Sequence, residues 1–202
     1  MGWQAQLWEF GKAIALAVVL ALIIRSFVVQ AFHIPSGSMI PTFLEGDRVL
    51  VLKYSYGVRN PFTNRVLFGS GAPERGDVVV FQYPLNPKVD FVKRVVGLPG
   101  ETVEARNGEI FVNGAPIDDP HGHYDNPKIP PTRNFGPLTV PEGKYFMMGD
   151  NRDYSNDSRS WGFVDMSLLR GKAWRLYWSW DPSQKISFWE KARLGRVGRH
   201  VD

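Results

Sequence analysis

A hydroxyl becomes a nucleophile only with a base beside it and with donors placed for the oxyanion it generates. Ile34-Pro35-Ser36-Gly37-Ser38-Met39-Ile40-Pro41 brings together the residues such a site needs. Two hydroxyls flank a glycine that lets backbone amides approach a ligand, and prolines stiffen both sides. A flexible linker is the plainer reading of Ser-Gly-Ser alone. Met39, Ile40 and Phe43 argue against it, because they are not linker residues.

Histidine is the usual base, and the chain has four: His33, His121, His123 and His200. His33 is too close in sequence to act easily on Ser38, and His200 lies in the terminal tail. His121-Gly122-His123, with Asp118, Asp119 and Asp125 nearby, reads as a weak metal site, a triad donor or, more plainly, a polar loop. Lysine is the alternative, provided its charge is disfavoured. In Val89-Asp90-Phe91-Val92-Lys93-Arg94-Val95-Val96, strand alternation puts Lys93 on one face with Val89, Phe91 and Val95. An ammonium there loses hydration, so the neutral amine is favoured and can take a serine proton. A surface strand with a snorkelling lysine is the competing reading. Arg94 points the other way and needs an anion.

The third cluster runs from Gly149 to Arg159 and is dense in Asp, Asn, Arg and Ser. Read as a calcium loop from Asp153 it fails: Ser158 occupies the turn-glycine position and Val164 that of the bidentate Glu. Buttressing by ion pairs is the better reading. The chain has no cysteine, which excludes a disulfide framework and a cysteine-ligated metal. The 24 Lys and Arg against 20 Asp and Glu leave a charge of only +4, too even to imply nucleic acid.

These residues need elements to hold them. Ala13–Ile24 is an unbroken apolar run, extended by its flanks to roughly 22 residues from Trp8 to Val29, enough to cross a bilayer. Trp3 and Trp8 stand where an interfacial aromatic belt would lie. The exit lacks a small-x-small cleavage site, so an uncleaved anchor is expected over residues 1–32. Lys12 precedes the span and Arg25, Arg48 and Lys53 follow it, so charge bias does not favour an external C-terminal domain. The remainder, 33–202, reads as a mostly antiparallel β domain. Strand-like runs cover 47–53, 77–83, 89–96, 145–148 and 173–180, and Asn107-Gly108 closes a hairpin between 101–106 and 109–112. A Pro-rich stretch, 115–141, reads as a meandering surface excursion. Ser187–Val197 suggests a short amphipathic helix, and the basic stretch from Lys185 to Arg199 would suit an anionic membrane surface.

Taken in this order behind an anchor, the clusters resemble bacterial signal peptidase I. The matching segments are Pro35–Thr42, Arg75–Phe81, Phe91–Gly100 and Gly149–Gly162. The resemblance implies a Ser–Lys endopeptidase that removes signal peptides from exported preproteins after a small-x-small motif. It implies Ser38 as nucleophile and Lys93 as general base, with Ser36 in the oxyanion hole and Ser155 orienting the lysine amine. Arg94, Asp150, Asp157 and Arg159 would form an ion-pair framework, and Ile34, Pro35 and Val92 shallow pockets for small side chains. No cofactor and no metal are implied. The implied partners are signal-peptide-bearing preproteins, the lipid bilayer and the protein translocation machinery, with no nucleic acid. The implied location is the bacterial cytoplasmic membrane, single-pass, with the catalytic domain outside. Phe91 and Tyr154 depart from the frequent tyrosine and asparagine, which leaves fine substrate preference open. A narrow-substrate maturation peptidase of the same fold and a non-catalytic tethered β module are the alternatives. A self-cleaving repressor is rejected, because the span stands where its DNA-binding domain would be.

Overall fold

The computed structural model describes residues 2–59, 66–69, 71–125, 133–182 and 190–201. The apolar run folds as α1 (Trp3–Phe27), 25 residues long, or about 38 Å at 1.5 Å per residue. Within it Gln6–Phe27 is long and apolar enough to span a membrane, with none of its best window buried against protein. The helix stops at Val28, whose N–H donates to Ile24 O at 2.8 Å. Val29–His33 then becomes strand β1. The span is therefore shorter at its C-terminal end than expected, and the expected boundary at residue 32 falls inside a strand. β-Branched and aromatic residues continue the apolar character of the helix while favouring extended backbone.

In chain order the strands that follow are β2 (Asp47–Leu52), β3 (Val58–Arg59), β4 (Val66–Phe68), β5 (Val78–Tyr83) and β6 (Asn86–Gly97). Next come β7 (Thr102–Arg106), β8 (Glu109–Val112), β9 (Ala115–Pro116), β10 (Phe135–Thr139) and β11 (Lys144–Met148). The chain continues through the short helix α2 (Ser158–Trp161), β12 (Val164–Asp165) and β13 (Leu169–Ser179). The large sheet has the order β1-β2-β13-β5-β6-β11-β12, a smaller one the order β10-β7-β8-β9, and β3 pairs β4. The pairings between these strands are antiparallel.

Period-two alternation in β5 explains the layering. Val78 and Val80 enter one core cluster with Ile34, Met39 and Phe43. Val79 and Phe81 enter another with Val95, Tyr145 and Met147. A third cluster, including Val103, Ile110 and Phe146, cements the small sheet to the large one. The β7–β8 hairpin has the expected Asn-Gly turn, with φ of 53° at Asn107 and 90° at Gly108, the positive pair a two-residue turn requires.

Two further expectations are corrected. The excursion is not all meander, because Phe135–Thr139 forms β10, paired with β7. Phe135 stacks on Phe146 at 5.2 Å, which anchors this arm to the core. Residues 126–132 of the excursion lie outside the described residues. At the other end, Ser187–Val197 is described only from residue 190, where it holds a 3₁₀ turn (Leu194–Arg196) rather than an amphipathic helix. Arg196 pairs with Asp47 at 2.6 Å and Arg193 with Asp181 at 3.1 Å, so these bases are tied inward.

Candidate active site

Gly37–Met39 forms one 3₁₀ turn just beyond β1. The turn is pinned from beneath: Met39 and Phe43 are fully buried, and Phe43 N–H donates to Met39 O at 2.9 Å. Burial of Met39 and Phe43 just past Ser38 leaves its hydroxyl a narrow range of positions. Across the groove, β6 carries Lys93 among Phe91, Val95 and the β5 face, as alternation along the strand requires. Lys93 Nζ stands 2.7 Å from Ser38 Oγ and donates to Val92 O at 3.0 Å. In the neutral amine the first contact reverses, and Ser38 O–H donates to nitrogen.

Lys93 is 4% exposed. Burial pulls its pKa from 10.5 to about 8, against the opposing pull of Asp157 and Asp150 and with help from Arg159. The Phe91 ring centroid, 5.4 Å from Nζ, favours the charged form only weakly, so desolvation wins. Both carboxylates are occupied elsewhere. Arg94 holds Asp150 with Nε and Nη2, each at 2.8 Å. Arg159 holds Asp157 at 2.8 and 2.7 Å. Asp157 also accepts from Gly149 N–H at 3.0 Å. The four framework residues therefore form two buried charge-assisted pairs, which restrict how strongly either acid can stabilise the ammonium.

A groove of about 380 Å³ runs past the pair. Ile34, Pro35, Val92 and Ser36 line it beside Ser38 and Lys93, with Tyr154 also on its wall. Ser36 Oγ lies 3.5 Å from Ser38 Oγ.

A protein-family profile for "Signal peptidase, peptidase S26" matches residues 7–178. The chain is 38% identical to Signal peptidase I of Pseudomonas aeruginosa, over 94% of this chain and 78% of that protein. It is 39% identical to Signal peptidase I of Leptolyngbya laminosa, over 96% and 86% respectively. A solved signal peptidase I from Enterococcus faecalis V583 is 36% identical, covers 50% of this chain and 96% of its own, and superposes with a TM-score of 0.44. The chain belongs to the S26 signal peptidase family.

In this signal peptidase family member the structure brings together Ser38, Lys93, Ser36 and the groove residues. Ser155 is treated differently from expectation. Its hydroxyl is buried without a hydrogen-bond partner and makes no bond to the lysine amine. It packs against Gly149, where an added Cβ would fall 2.3 Å from Ser155 Oγ and 2.5 Å from Ser38 O.

Several working residues escaped the sequence reading. Thr42 donates to Asp150 at 2.6 Å, and Asn151 N–H donates to Ser38 O at 3.1 Å. Arg152 is fully buried and paired with Asp119. An arginine amid short polar residues, flanked by apolar strands, is itself a signal that an anion must be found. Among the described residues no group of three or more His, Asp or Glu side chains is placed to hold a metal ion.

Proposed function

We propose that the protein is a membrane-bound serine endopeptidase that cuts signal peptides from exported preproteins, with Ser38 as nucleophile and Lys93 as general base. The observation that carries this is the buried 2.7 Å contact between Lys93 Nζ and Ser38 Oγ. A lysine on an apolar strand face, half-deprotonated near pH 8 and touching a serine, has no use in a tethered binding module.

The neutral amine takes the Ser38 proton as Oγ attacks the scissile carbonyl, and the resulting ammonium returns a proton to the leaving amine. Water, deprotonated by the same amine, then hydrolyses the acyl-enzyme. Ser36 hydroxyl and Ser38 N–H are the proposed oxyanion donors. The buried, unpartnered Ser155 hydroxyl is the proposed steadying group for the amine during turnover. Ile34, Pro35 and Val92 shape shallow apolar seats that favour small side chains ahead of the cut. α1 anchors the chain in the bacterial cytoplasmic membrane with the β domain on its outer side.

The test is cleavage of a purified preprotein bearing an Ala-x-Ala site, in detergent, with the new N-terminus read by mass spectrometry. Wild type cuts after the final Ala, and Ser38→Ala lowers turnover by at least about a thousandfold. Equal cutting by the folded Ser38→Ala protein would remove the assignment.

A further inference from the structure

The opening of the Pro-rich excursion, Asp118 to Asp125, is seated against the loop behind the nucleophile. Asp119 pairs with Arg152: Nη2 donates to Oδ1 at 2.9 Å, and Nη1 lies 2.5 Å from Oδ2. The Arg152 side chain is 0% exposed, and its Nε donates to Gly149 O at 3.0 Å. The backbones interlock as well. His123 N–H donates to Asp150 O at 2.9 Å, and Arg152 N–H donates to His123 O at 2.9 Å. Gly122 permits this approach, since a Cβ there would meet the guanidinium at 2.4 Å. From the other arm of the excursion, Arg133 reaches Asp153 at 3.7 Å.

The loop held in this way ends on the serine. Asn151 donates to Ser38 O through its N–H at 3.1 Å and to Gly37 O through Nδ2 at 3.3 Å. A fully buried guanidinium demands a compensating anion with fixed geometry. Here the Asp119 carboxylate, carried by a segment far off in sequence, supplies it. A chain of direct contacts thus joins Asp119 to Arg152, Arg152 to Gly149, and the adjoining Asn151 to the backbone of Ser38.

We propose that Asp119 is a positioning residue for the reaction: through Arg152 the excursion holds the Gly149–Asn151 turn against Ser38 and so fixes the serine relative to Lys93. The excursion is then part of the catalytic apparatus, and the inference rests on the Ser38–Lys93 reading above. Loosening this hold lets Ser38 drift from the amine and lets water reach it. Both effects act on turnover more than on substrate binding.

The experiment uses the full chain in detergent with the Ala-x-Ala preprotein, measuring kcat, KM, the pH profile of kcat and thermal unfolding. Asp119→Asn is expected to lower kcat by about tenfold to a hundredfold, the loss that a small misplacement of reacting groups produces, with KM within about twofold. Its pH limb moves to higher pH as water reaches the amine. Asp119→Asn leaves Arg152 uncompensated and can unfold the loop, so the double variant Asp119→Asn/Arg152→Gln, which buries no charge, is measured beside it. The double variant is expected to fold and to show the same kcat loss and pH displacement. Wild-type kcat and pH profile in the folded double variant would overturn the proposal. Wild type and Ser38→Ala run alongside separate the failures. An inactive wild type removes the peptidase reading, whereas active wild type with unimpaired Asp119 variants removes only this inference.

Discussion

An amine with 4% of its surface exposed has lost most of the water that would solvate its charge. Lys93 therefore releases its proton near pH 8 rather than 10.5, with burial as the largest cause. That displacement corresponds to about 3 kcal/mol of differential stabilisation of the neutral form, and it has a consequence for the fold. Between about pH 8 and 10.5 the unfolded chain holds the Lys93 proton and the native protein does not, so stability rises with pH across that window. Below about 8 both states are protonated and the full penalty stands. Lys93→Met removes the buried charge and keeps the volume, so it should raise the unfolding free energy by about 1–3 kcal/mol at neutral pH while abolishing cleavage. Denaturant titrations near pH 7 and pH 10 test this. The gain should shrink at the higher pH, and no gain at pH 7 would contradict the cause assigned to the shift. The lysine and its face were legible in the sequence because period-two alternation is local. The pair formed by Asp119 and Arg152 was not, because its members are far apart along the chain and neither segment has periodicity to betray the contact.

Among the elements, the loop following β11 does most to position the site, and Gly149 is its tightest point. Asp157 fixes the Gly149 N–H at 3.0 Å, while Arg152 Nε donates to its carbonyl at 3.0 Å. The added methyl of Gly149→Ala would press on Ser155 Oγ and on Ser38 O, 2.3 and 2.5 Å away. Backbone at Ser38 cannot yield without moving the nucleophile. We expect Gly149→Ala to lower kcat by about a hundredfold with the β domain still cooperatively folded, read by peptide cleavage and near-UV circular dichroism. Retention of wild-type kcat would show that the turn is less tightly set than its geometry indicates. Local chemistry explains which elements could be read in advance. The Asn-Gly hairpin and strands β2, β5 and β6 announce themselves by alternation and turn residues. β1 hid in the apolar tail of the span, where β-branched residues suit helix and strand alike. β10 hid behind Pro137, which removes a backbone donor and masks a strand at the sheet's edge.

Across the whole molecule, the apolar helix α1 and the site are separated by a single strand. α1 gives way to β1 at Val28–Val29, and β1 leads into Ile34 and the Ser38 turn. With α1 in the bilayer, the groove is held within a strand's length of the surface, where a substrate anchored by its own apolar segment would present its cleavage site. The C-terminal tail returns to this region rather than projecting from it: Val201 N–H donates to Trp174 O at 3.0 Å and its side chain enters the core. The sequence places the Ser38 stretch a few residues beyond the apolar run, and the charge bias around α1 leaves its orientation open. The proposed outer placement predicts that protease added to spheroplasts digests the β domain, whereas sealed inside-out vesicles protect it. The reverse pattern would place the site on the cytoplasmic side and exclude exported preproteins as substrates.

The most direct test of the Ser–Lys account is the pH dependence of kcat/KM for the Ala-x-Ala preprotein, measured for wild type and Lys93→Arg side by side. Wild type should rise about tenfold per pH unit on the acidic side and level off above about pH 8. Lys93→Arg should stay at background throughout, because a guanidinium keeps its proton. A flat wild-type profile, or turnover by Lys93→Arg within about tenfold of wild type, would contradict Lys93 as the base.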